Sequence, residues 1–361
     1  MRATQLLHTL GQSLWPDNLT AELLERGTLK QYIDGYSITG LTSNPTIFNR
    51  AIKQGASYDS RIIEKFQEGK SGEELFFELA LADLKRAAAM FARIHDQTNG
   101  VDGWVSLEVS PLLAHETATT LAAARALHAQ AGLSNLLIKI PGTKEGVAAI
   151  EEAIFEGIPI NVTLLFSREQ YIDAAEAFIR GIERRLDAGL KADVASVASF
   201  FVSRWDAAVM DKVSGNLRGR LGIAVARRIY KAYRMLLSSP RWQRVYNAGG
   251  RPQRLVWAST GTKDPYACDV VYIKALAAPF TVNTMPESTL KALGRHSQLD
   301  AILPVDGGDC EQVLAQFSSA GIEIDTLAAR LQEEGVISFA QSWNDLMSVI
   351  ASKAAVLRKV S

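Results

Sequence analysis

Short apolar or β-branched runs alternate with amphipathic stretches along the first 286 residues of the chain. We predict a strand at each run, near 12–17, 37–43, 104–109, 136–140, 158–165, 194–202, 254–260 and 280–284. Helical spacing of apolar positions lies between most of them, at 45–68, 73–95, 115–131, 145–156, 168–188, 206–238 and 266–278. Strands that alternate with helices indicate right-handed βαβ crossovers and a parallel sheet.

Eight predicted strands between residues 12 and 286 fit the usual size of a closed (β/α)₈ barrel of the TIM type. A doubly wound open sheet is the competing arrangement of alternating strands and helices. The first strand, however, is not followed by the glycine pattern G-x-G-x-x-G that is typical of dinucleotide-binding sheets. The pattern therefore favours the barrel.

The remaining segment, 287–361, carries apolar positions at helical spacing, with glycines near several of the predicted helix ends. The helices predicted in it are 288–296, 310–321, 324–335 and 338–360. The apolar faces of these helices must be buried, most simply against the barrel. No linker rich in Pro, Gly or Ser precedes the segment. We therefore predict one domain, 1–361, made of a barrel at about 12–286 and a C-terminal helical extension at 287–361.

Composition and charge narrow the class of protein. The chain has 361 residues, of which 47% are apolar and 22% charged, as in an ordinary globular protein. Thirty-nine basic residues balance 39 acidic ones, which argues against nucleic-acid binding. No apolar run is long enough to span a membrane, the N-terminus does not resemble a signal peptide, and two cysteines exclude a disulfide framework. The sequence predicts a soluble, cytoplasmic enzyme or small-molecule binder.

Candidate reactive groups follow from the alternation of side chains along each predicted strand, since every second residue shares a face. The polar face should point into the mouth of the barrel, where barrel enzymes keep their reactive groups. Seven strands then each deliver a polar group to one pocket. The aligned sets are Ser13, Trp15 and Asp17; Gly40, Thr42 and Asn44; Ser106 and Glu108; Leu137 and Lys139; Asn161 and Thr163; Val197, Ser199 and Phe201; and Leu255, Trp257 and Ser259.

Lys139 is the strongest functional candidate of this set because it is a charged residue inside the apolar strand LLIKI. A free lysine amine, with a pKa of about 10.4, is almost entirely protonated at neutral pH. Burial favours the neutral amine, which can attack a carbonyl carbon and form a Schiff base. The alternative is a lysine at the end of a strand that extends its charge to water.

The other candidates also have structural alternatives. Glu108 and Asp17 could move protons around an imine, or they could form an ion pair and a helix cap, respectively. Asn161 and Thr163 could orient water or substrate hydroxyls, or complete a turn at the strand end. Arg204 and Lys263 follow predicted strands where a phosphate could bind, or they are surface charges. The five histidines have no metal-binding spacing.

Several segments carrying these residues resemble the transaldolase family. TSNPTIF (42–48), WVSLEVSP (104–111), NLLIKIPGTKEG (135–146), INVTLLFS (160–167) and SFFVSRWD (199–206) are similar to family motifs and occur in the family's order. LVWASTGTKDP (255–265), TVNTMPESTL (281–290) and the helical tail resemble the longer bacterial branch. The resemblance covers the chain from about residue 12 to its end.

The resemblance implies transfer of a dihydroxyacetone unit between sugar phosphates, with Lys139 as the Schiff-base nucleophile. Glu108 would act as acid and base through a water that Thr163 helps to hold, and Asp17 would accept the proton of the substrate hydroxyl. No metal or organic cofactor is implied, because the lysine activates the carbonyl itself. The implied substrate-binding residues are Thr42, Asn44, Asn161, Ser199, Phe201, Arg204, Ser259 and Lys263.

Two positions depart from the family pattern. Many members have an arginine two residues after the serine that matches Ser259, where this chain has Gly261, so Lys263 is the expected substitute. The first-strand motif reads WPDN instead of the more common Asp-Thr-Gly-Asp.

Three other functions remain as alternatives: a fructose 6-phosphate aldolase, a catalytically silent sugar-phosphate-binding barrel and a scaffolding protein. The sequence does not distinguish a monomer from a homodimer.

Overall fold

The computed structural model describes residues 2–299 and 301–357. Within these ranges, the strands are β1 (Gln12–Pro16), β2 (Val105–Glu108), β3 (Leu136–Pro141), β4 (Ile160–Leu165), β5 (Ser196–Phe201), β6 (Arg254–Ala258) and β7 (Thr281–Met285). All seven pair in parallel, in the order β1-β7-β6-β5-β4-β3-β2. Every residue of these strands is buried, as expected for a parallel sheet covered by helices.

The predicted strand at 37–43 is not a full strand. Its backbone makes two isolated parallel bridges, from Ile38 to Leu14 of β1 and from Leu41 to Val105 of β2. Gly40 lies between them, where an added Cβ would be 2.4 Å from the Trp15 indole nitrogen. The large Trp15 side chain leaves room only for glycine here. The segment still occupies the place between β1 and β2, so the ring closes as a (β/α)₈ barrel.

Helices surround the sheet and follow most strands. Within the described ranges they are α1 (Ala3–Leu10), α2 (Ala21–Glu25), α3 (Thr28–Tyr36), α4 (Pro45–Gln54), α5 (Asp59–Gln67), α6 (Gly72–Gln97), α7 (Thr117–Ala131), α8 (Lys144–Phe155), α9 (Arg168–Asp187), α10 (Ser203–Val209), α11 (Leu221–Leu237), α12 (Pro240–Asn247), α13 (Val271–Ala275), α14 (Glu287–Leu293), α15 (Cys310–Ser319) and α16 (Ile324–Leu357), with a 3₁₀ turn at Pro111–Leu113.

Local sequence accounts for many of the helix starts. Asn44 accepts a hydrogen bond from the Ile47 backbone at the start of α4, whose first residue is Pro45. Ser167 and Gln170 form a capping box at the start of α9. The first cap follows the bridged segment at 37–43 and the second follows β4, so the local sequence encodes the start of a helix where the polar candidate residues lie.

Two hydrophobic layers hold the barrel together. The larger one packs the outward side chains of the strands against the helices. The smaller one fills the barrel interior, and its members are Trp15, Trp104, Leu137, Val197, Val256 and Val282. The interior is therefore a packed core with the polar groups above it, as in barrel enzymes.

Several predicted helices are wrong in their extent. The predicted helix at 206–238 is divided into α10 and α11, because the segment VSGNLRG between them is rich in turn-forming residues. The one predicted at 45–68 is divided at Gly55, and the one at 266–278 is reduced to α13. The sequence-based prediction missed three helices, α1, α3 and α12.

The C-terminal extension contains the expected helices, but its last two predicted helices are one continuous element, α16. Gly335, the expected end of the third predicted helix, lies inside α16, where the helix approaches Leu164 and Arg204 so closely that a larger residue would not fit. Predicted helical positions 358–360 lie outside the described residues, as do residues 1, 300 and 361. The single-domain organisation with a boundary near residue 286 stays a prediction.

α16 runs along the rim of the barrel mouth. Gln332 donates hydrogen bonds to the backbone oxygens of Gly142 (2.9 Å) and Leu164 (3.0 Å), beyond β3 and within β4. Farther along, Lys353 donates to the Gly55 backbone oxygen at 2.7 Å. The helix thus connects the ends of the central strands with the loop after α4. None of the helices in the described ranges combines the length and apolar character needed to cross a membrane.

Candidate active site

A cavity of about 990 Å³ opens at the carboxyl ends of the strands. Its wall is formed by strand ends, by residues of α2, α4 and α14, and by one side chain of α16. All the sequence-predicted site residues except Glu108 line this cavity: Asp17, Thr42, Asn44, Lys139, Asn161, Thr163, Ser199, Phe201, Arg204, Ser259 and Lys263. The structure thus brings these residues together in one cavity, although neither Ser106 nor Glu108 of β2 lines it, and the role of each residue stays a prediction.

Glu108 lies behind the cavity wall, in direct contact with Lys139. The Lys139 Nζ donates a hydrogen bond to Glu108 Oε2 at 2.8 Å, and the two side chains are only 8% and 4% exposed. Burial raises the pKa of the Glu108 carboxyl, and the positive charge of Lys139 partly opposes the rise. A buried amine and a carboxyl with a raised pKa can therefore exchange a proton at this point.

Asp17 faces the same amine from β1. Burial raises the pKa of Asp17 to about 6, against the opposing effect of Lys139 and Lys263. Its backbone N–H donates to the Met285 oxygen at 3.0 Å. Thr20, not Asp17, caps α2, accepting from the Leu23 backbone at 3.1 Å. The capping alternative for Asp17 is therefore wrong, and its carboxyl is available to the cavity.

A chain of hydrogen bonds fixes the amide at the centre of the site. Ser199 donates to Asn161 Oδ1 at 2.8 Å, and Asn161 Nδ2 donates to Ser106 Oγ at 3.1 Å. Thr163 Oγ1 is buried without a hydrogen-bond partner among the described residues. Because a buried hydroxyl rarely stays unpaired, Thr163 fits the position of a group that binds water or substrate.

Thr42 and Asn44 have partners of their own. Thr42 Oγ1 shares a hydrogen bond of 2.9 Å with Thr284 Oγ1 of β7, which also lines the cavity. The side-chain oxygen of Asn44 caps α4, accepting from Ile47 at 3.2 Å. Asn44 therefore combines a capping role with its position in the wall, and only its amide nitrogen remains for a ligand.

Several cationic side chains line the cavity, Arg204 and Lys263 among them. The Arg204 guanidinium lies 5.2 Å from the ring centre of Phe201 and 5.8 Å from that of Phe339. Lys263 is exposed in the loop after β6. Ser259, which lines the same cavity, shares a hydrogen bond of 2.9 Å with Ser203. Two cations and a hydroxyl that line one cavity suit an anionic group such as phosphate.

The predicted alignment of Leu255, Trp257 and Ser259 is wrong. Leu255 and Trp257 pack outward against the helices, whereas Val256 belongs to the barrel interior. Ser259 nevertheless reaches the cavity because the strand ends at Ala258 and Ser259 adopts a left-handed backbone with φ of 55°. The turn reverses the phase of the side chains, which alternation alone cannot anticipate.

Sequence reasoning missed several lining residues. Thr284 ends a predicted strand on the same face as Val282, so the alternation rule could have found it. Arg50 on α4 and Phe339 on α16 also line the cavity. Nothing in the local sequence distinguishes them from ordinary residues of amphipathic helices, because only the packing of α4 and α16 brings them to the mouth.

A potential cation-binding group of the described residues lies outside the cavity. One ligand atom each of Cys268, Asp269 and His296 is found within 4.8 Å of the others, and Cys268 and Asp269 are exposed. Inside the cavity, Lys139 would oppose a cation beside Glu108 or Asp17. The site chemistry therefore centres on the amine and its carboxyl partners.

The chain is similar to known proteins over nearly its whole length. The family model described as Transaldolase/Fructose-6-phosphate aldolase matches residues 14–350. A Transaldolase of Arthrobacter sp. is 41% identical over 367 residues, covering 99% of both chains. A Transaldolase of Frankia alni is 40% identical over 357 residues, covering 96% of both. Transaldolase 2 of Nostoc punctiforme is 38% identical over 370 residues, covering 97% of both.

Proposed function

The chain belongs to the transaldolase/fructose-6-phosphate aldolase family, and we propose that it transfers a dihydroxyacetone unit from a ketose phosphate to an aldose phosphate. The observation that carries the proposal is the buried contact of 2.8 Å between Lys139 and Glu108 beneath a polar cavity. Sedoheptulose 7-phosphate and fructose 6-phosphate are the proposed donors. Erythrose 4-phosphate and glyceraldehyde 3-phosphate are the proposed acceptors.

The first step is attack of the neutral Lys139 amine on the keto carbon of the donor. Glu108 accepts the proton that the amine loses and returns a proton to the departing hydroxyl, through a water held by Thr163. The protonated hydroxyl leaves as a water molecule, and a protonated imine remains on Lys139. The raised pKa of Glu108 supports this exchange, since it makes the carboxylate a stronger proton acceptor than an ordinary glutamate.

The second step breaks the bond between the third and fourth carbons. Asp17 removes the proton from the fourth-carbon hydroxyl, and the released electron pair moves into the protonated imine. An aldose phosphate leaves, and a three-carbon enamine remains on Lys139. Addition of a second aldose phosphate reverses these bond changes and gives a new protonated imine. Water then adds to the imine carbon and the carbon–nitrogen bond breaks, which releases the product ketose phosphate and regenerates Lys139.

The remaining wall residues hold the substrate in this proposal. Thr42, Asn44, Asn161 and Ser199 bind the dihydroxyacetone portion, and Phe201 forms its apolar wall. Arg204, Ser259 and Lys263 bind the phosphate. The reaction belongs to the non-oxidative pentose phosphate pathway, and a cytoplasmic location is part of the same proposal.

Borohydride trapping tests the proposal. Protein incubated with fructose 6-phosphate is reduced, weighed intact and mapped by peptide analysis. We expect a reduced three-carbon adduct on Lys139, and addition of erythrose 4-phosphate before the reductant should remove it. Release of free dihydroxyacetone in place of transfer would indicate a fructose 6-phosphate aldolase. Absence of an adduct from protein that binds the sugar phosphate would indicate a silent barrel.

A further inference from the structure

An aromatic side chain of the C-terminal helix lies over the reactive amine. The ring centre of Phe339 is 5.4 Å from Lys139 Nζ, and the residue is 7% exposed. Its ring also lies 6.4 Å from that of Phe201, centre to centre. Phe339 and Phe201 therefore form a continuous apolar wall beside Lys139, to which α16 contributes one half.

α16 is fixed where it contributes Phe339. Two turns before, Gln332 bonds to two backbone oxygens at the strand ends. One turn before, Gly335 lies so close to Leu164 that an added Cβ would be 2.9 Å from its Cδ2. One turn after, Trp343 donates to Glu73 at 2.8 Å. Contacts on both sides thus hold the Phe339 ring over the amine.

The proposed reaction contains an intermediate that this ring could protect. After the aldose phosphate leaves, the three-carbon enamine waits on Lys139 in a wide cavity open to water. If a proton adds to the enamine carbon, the enamine becomes a protonated imine of dihydroxyacetone. Water then adds to the imine carbon, the carbon–nitrogen bond breaks, and free dihydroxyacetone leaves while Lys139 is regenerated. This hydrolysis competes with transfer.

We propose that Phe339 determines how the Lys139 enamine divides between transfer and hydrolysis, an inference that rests on the proposed function. The ring occupies volume that water would otherwise fill beside the amine, and it has no group that could donate a proton to the enamine carbon. Its π face also lies toward the nitrogen, where it stabilises the positive charge of the imine formed on the way to the enamine. The polar groups that line the cavity near Lys139 come instead from the strand ends, and they include Asp17, Asn161 and Thr163.

The test compares Phe339→Ala, Phe339→Leu and Ile337→Ala. Ile337 lies on the same helix but is 57% exposed, so its variant controls for changes in α16 alone. For each protein we would measure dihydroxyacetone released from fructose 6-phosphate without acceptor, and product formed with erythrose 4-phosphate present. The ratio of the first rate to the second reports the partition directly.

We expect Phe339→Ala to raise this ratio by about tenfold, from loss of both the apolar cover and the π face. Phe339→Leu keeps most of the apolar volume and should raise it less, and Ile337→Ala should leave it unchanged. A ratio in Phe339→Ala equal to that of the parent protein would overturn the inference. If Phe339→Ala does not fold, as judged by thermal unfolding, an unchanged ratio in Phe339→Leu would overturn it.

The same experiment separates this inference from the proposed function. Failure of the parent protein to form a Lys139 adduct would overturn the proposed function itself. A parent protein that forms the adduct and transfers it, together with an unchanged partition in the variants, would contradict only the role of Phe339.

Discussion

Glu108 and Lys139 are direct neighbours across the β2–β3 ladder, and their side chains meet at 2.8 Å inside the protein. In-register pairing places both on the same face at the same height. The next strand continues this row, since Asn161 of β4 pairs with Lys139. The barrel therefore presents carboxyl, amine and amide from three successive strands, and their relative positions depend on backbone hydrogen bonds rather than on flexible loops.

Lys139→Met should abolish turnover and adduct formation, and it should also destabilise the fold. The variant leaves the buried Glu108 carboxylate without its partner, which costs about 3–5 kcal/mol while the carboxylate stays ionised. Urea unfolding at pH 7 measures the loss. The double variant Lys139→Met, Glu108→Gln should recover most of that stability. Equal stability of parent and Lys139→Met proteins would contradict the importance of this pair.

Cleavage should weaken as the pH falls through about 6, the pKa to which burial raises Asp17. Only the ionised carboxylate can accept the hydroxyl proton, while imine formation does not need Asp17. Reduction with borohydride at saturating fructose 6-phosphate should therefore trap more six-carbon and less three-carbon adduct below that pH. Asp17→Asn should give the six-carbon adduct at every pH. Three-carbon adduct on Asp17→Asn would assign the proton transfer to another group.

The same carboxyl has a predictable effect on stability. The folded-state pKa of Asp17 is about 6 against an ordinary value of 3.8, so the folded state binds the proton more tightly than the unfolded state. Stability therefore falls as the pH rises between these values. Asp17→Asn should melt at a higher temperature than the parent protein at pH 7, and the difference should disappear below about pH 4. A lower melting temperature at pH 7 would contradict this sign.

Arg204 and Lys263 should contribute unequally to phosphate binding. The Arg204 guanidinium lies against the rings of Phe201 and Phe339, whereas Lys263 is exposed. We expect Arg204→Met to raise KM for fructose 6-phosphate by about 10–100-fold and Lys263→Met by about tenfold or less. Reaction with unphosphorylated fructose provides the control, since its KM should change in neither variant. A larger effect for Lys263→Met would make the lysine the principal phosphate ligand.

Gly335→Leu should displace α16 from the strand ends. The new side chain would overlap Leu164 and the Arg204 guanidinium, and overpacking of this kind costs about 1–3 kcal/mol. We expect a lower melting temperature and a lower kcat, because Phe339 moves with the helix. Gly321, another glycine of the C-terminal extension, is not a suitable control position, because its backbone φ of 82° would strain any other residue. Ser338→Leu, at an exposed position of the same helix, is the matched control.

Short-range patterns in the sequence predict much of the fold and many of the polar residues at the barrel mouth. Buried parallel strands produce apolar runs, and a polar residue interrupting such a run stands out whatever the rest of the chain does. Lys139, Asn161 and Thr163 were recognisable on this ground, and alternation assigned them to one face. The family motifs added roles that alternation cannot supply. The barrel and the composition of its mouth were thus determined by short-range pattern.

Only the tertiary structure decided the features that depend on long-range packing. The segment at 37–43 forms two bridges instead of a strand, and Trp15 lies so close to Gly40 that no side chain fits there. Ser259 faces the cavity because its backbone turns at the strand end. Phe339 reaches Lys139 because α16 continues through Gly335 and docks on the strand ends. An amphipathic pattern indicates which side of a helix is buried, but not against which partner, so the sequence alone could not place an aromatic ring over the reactive amine.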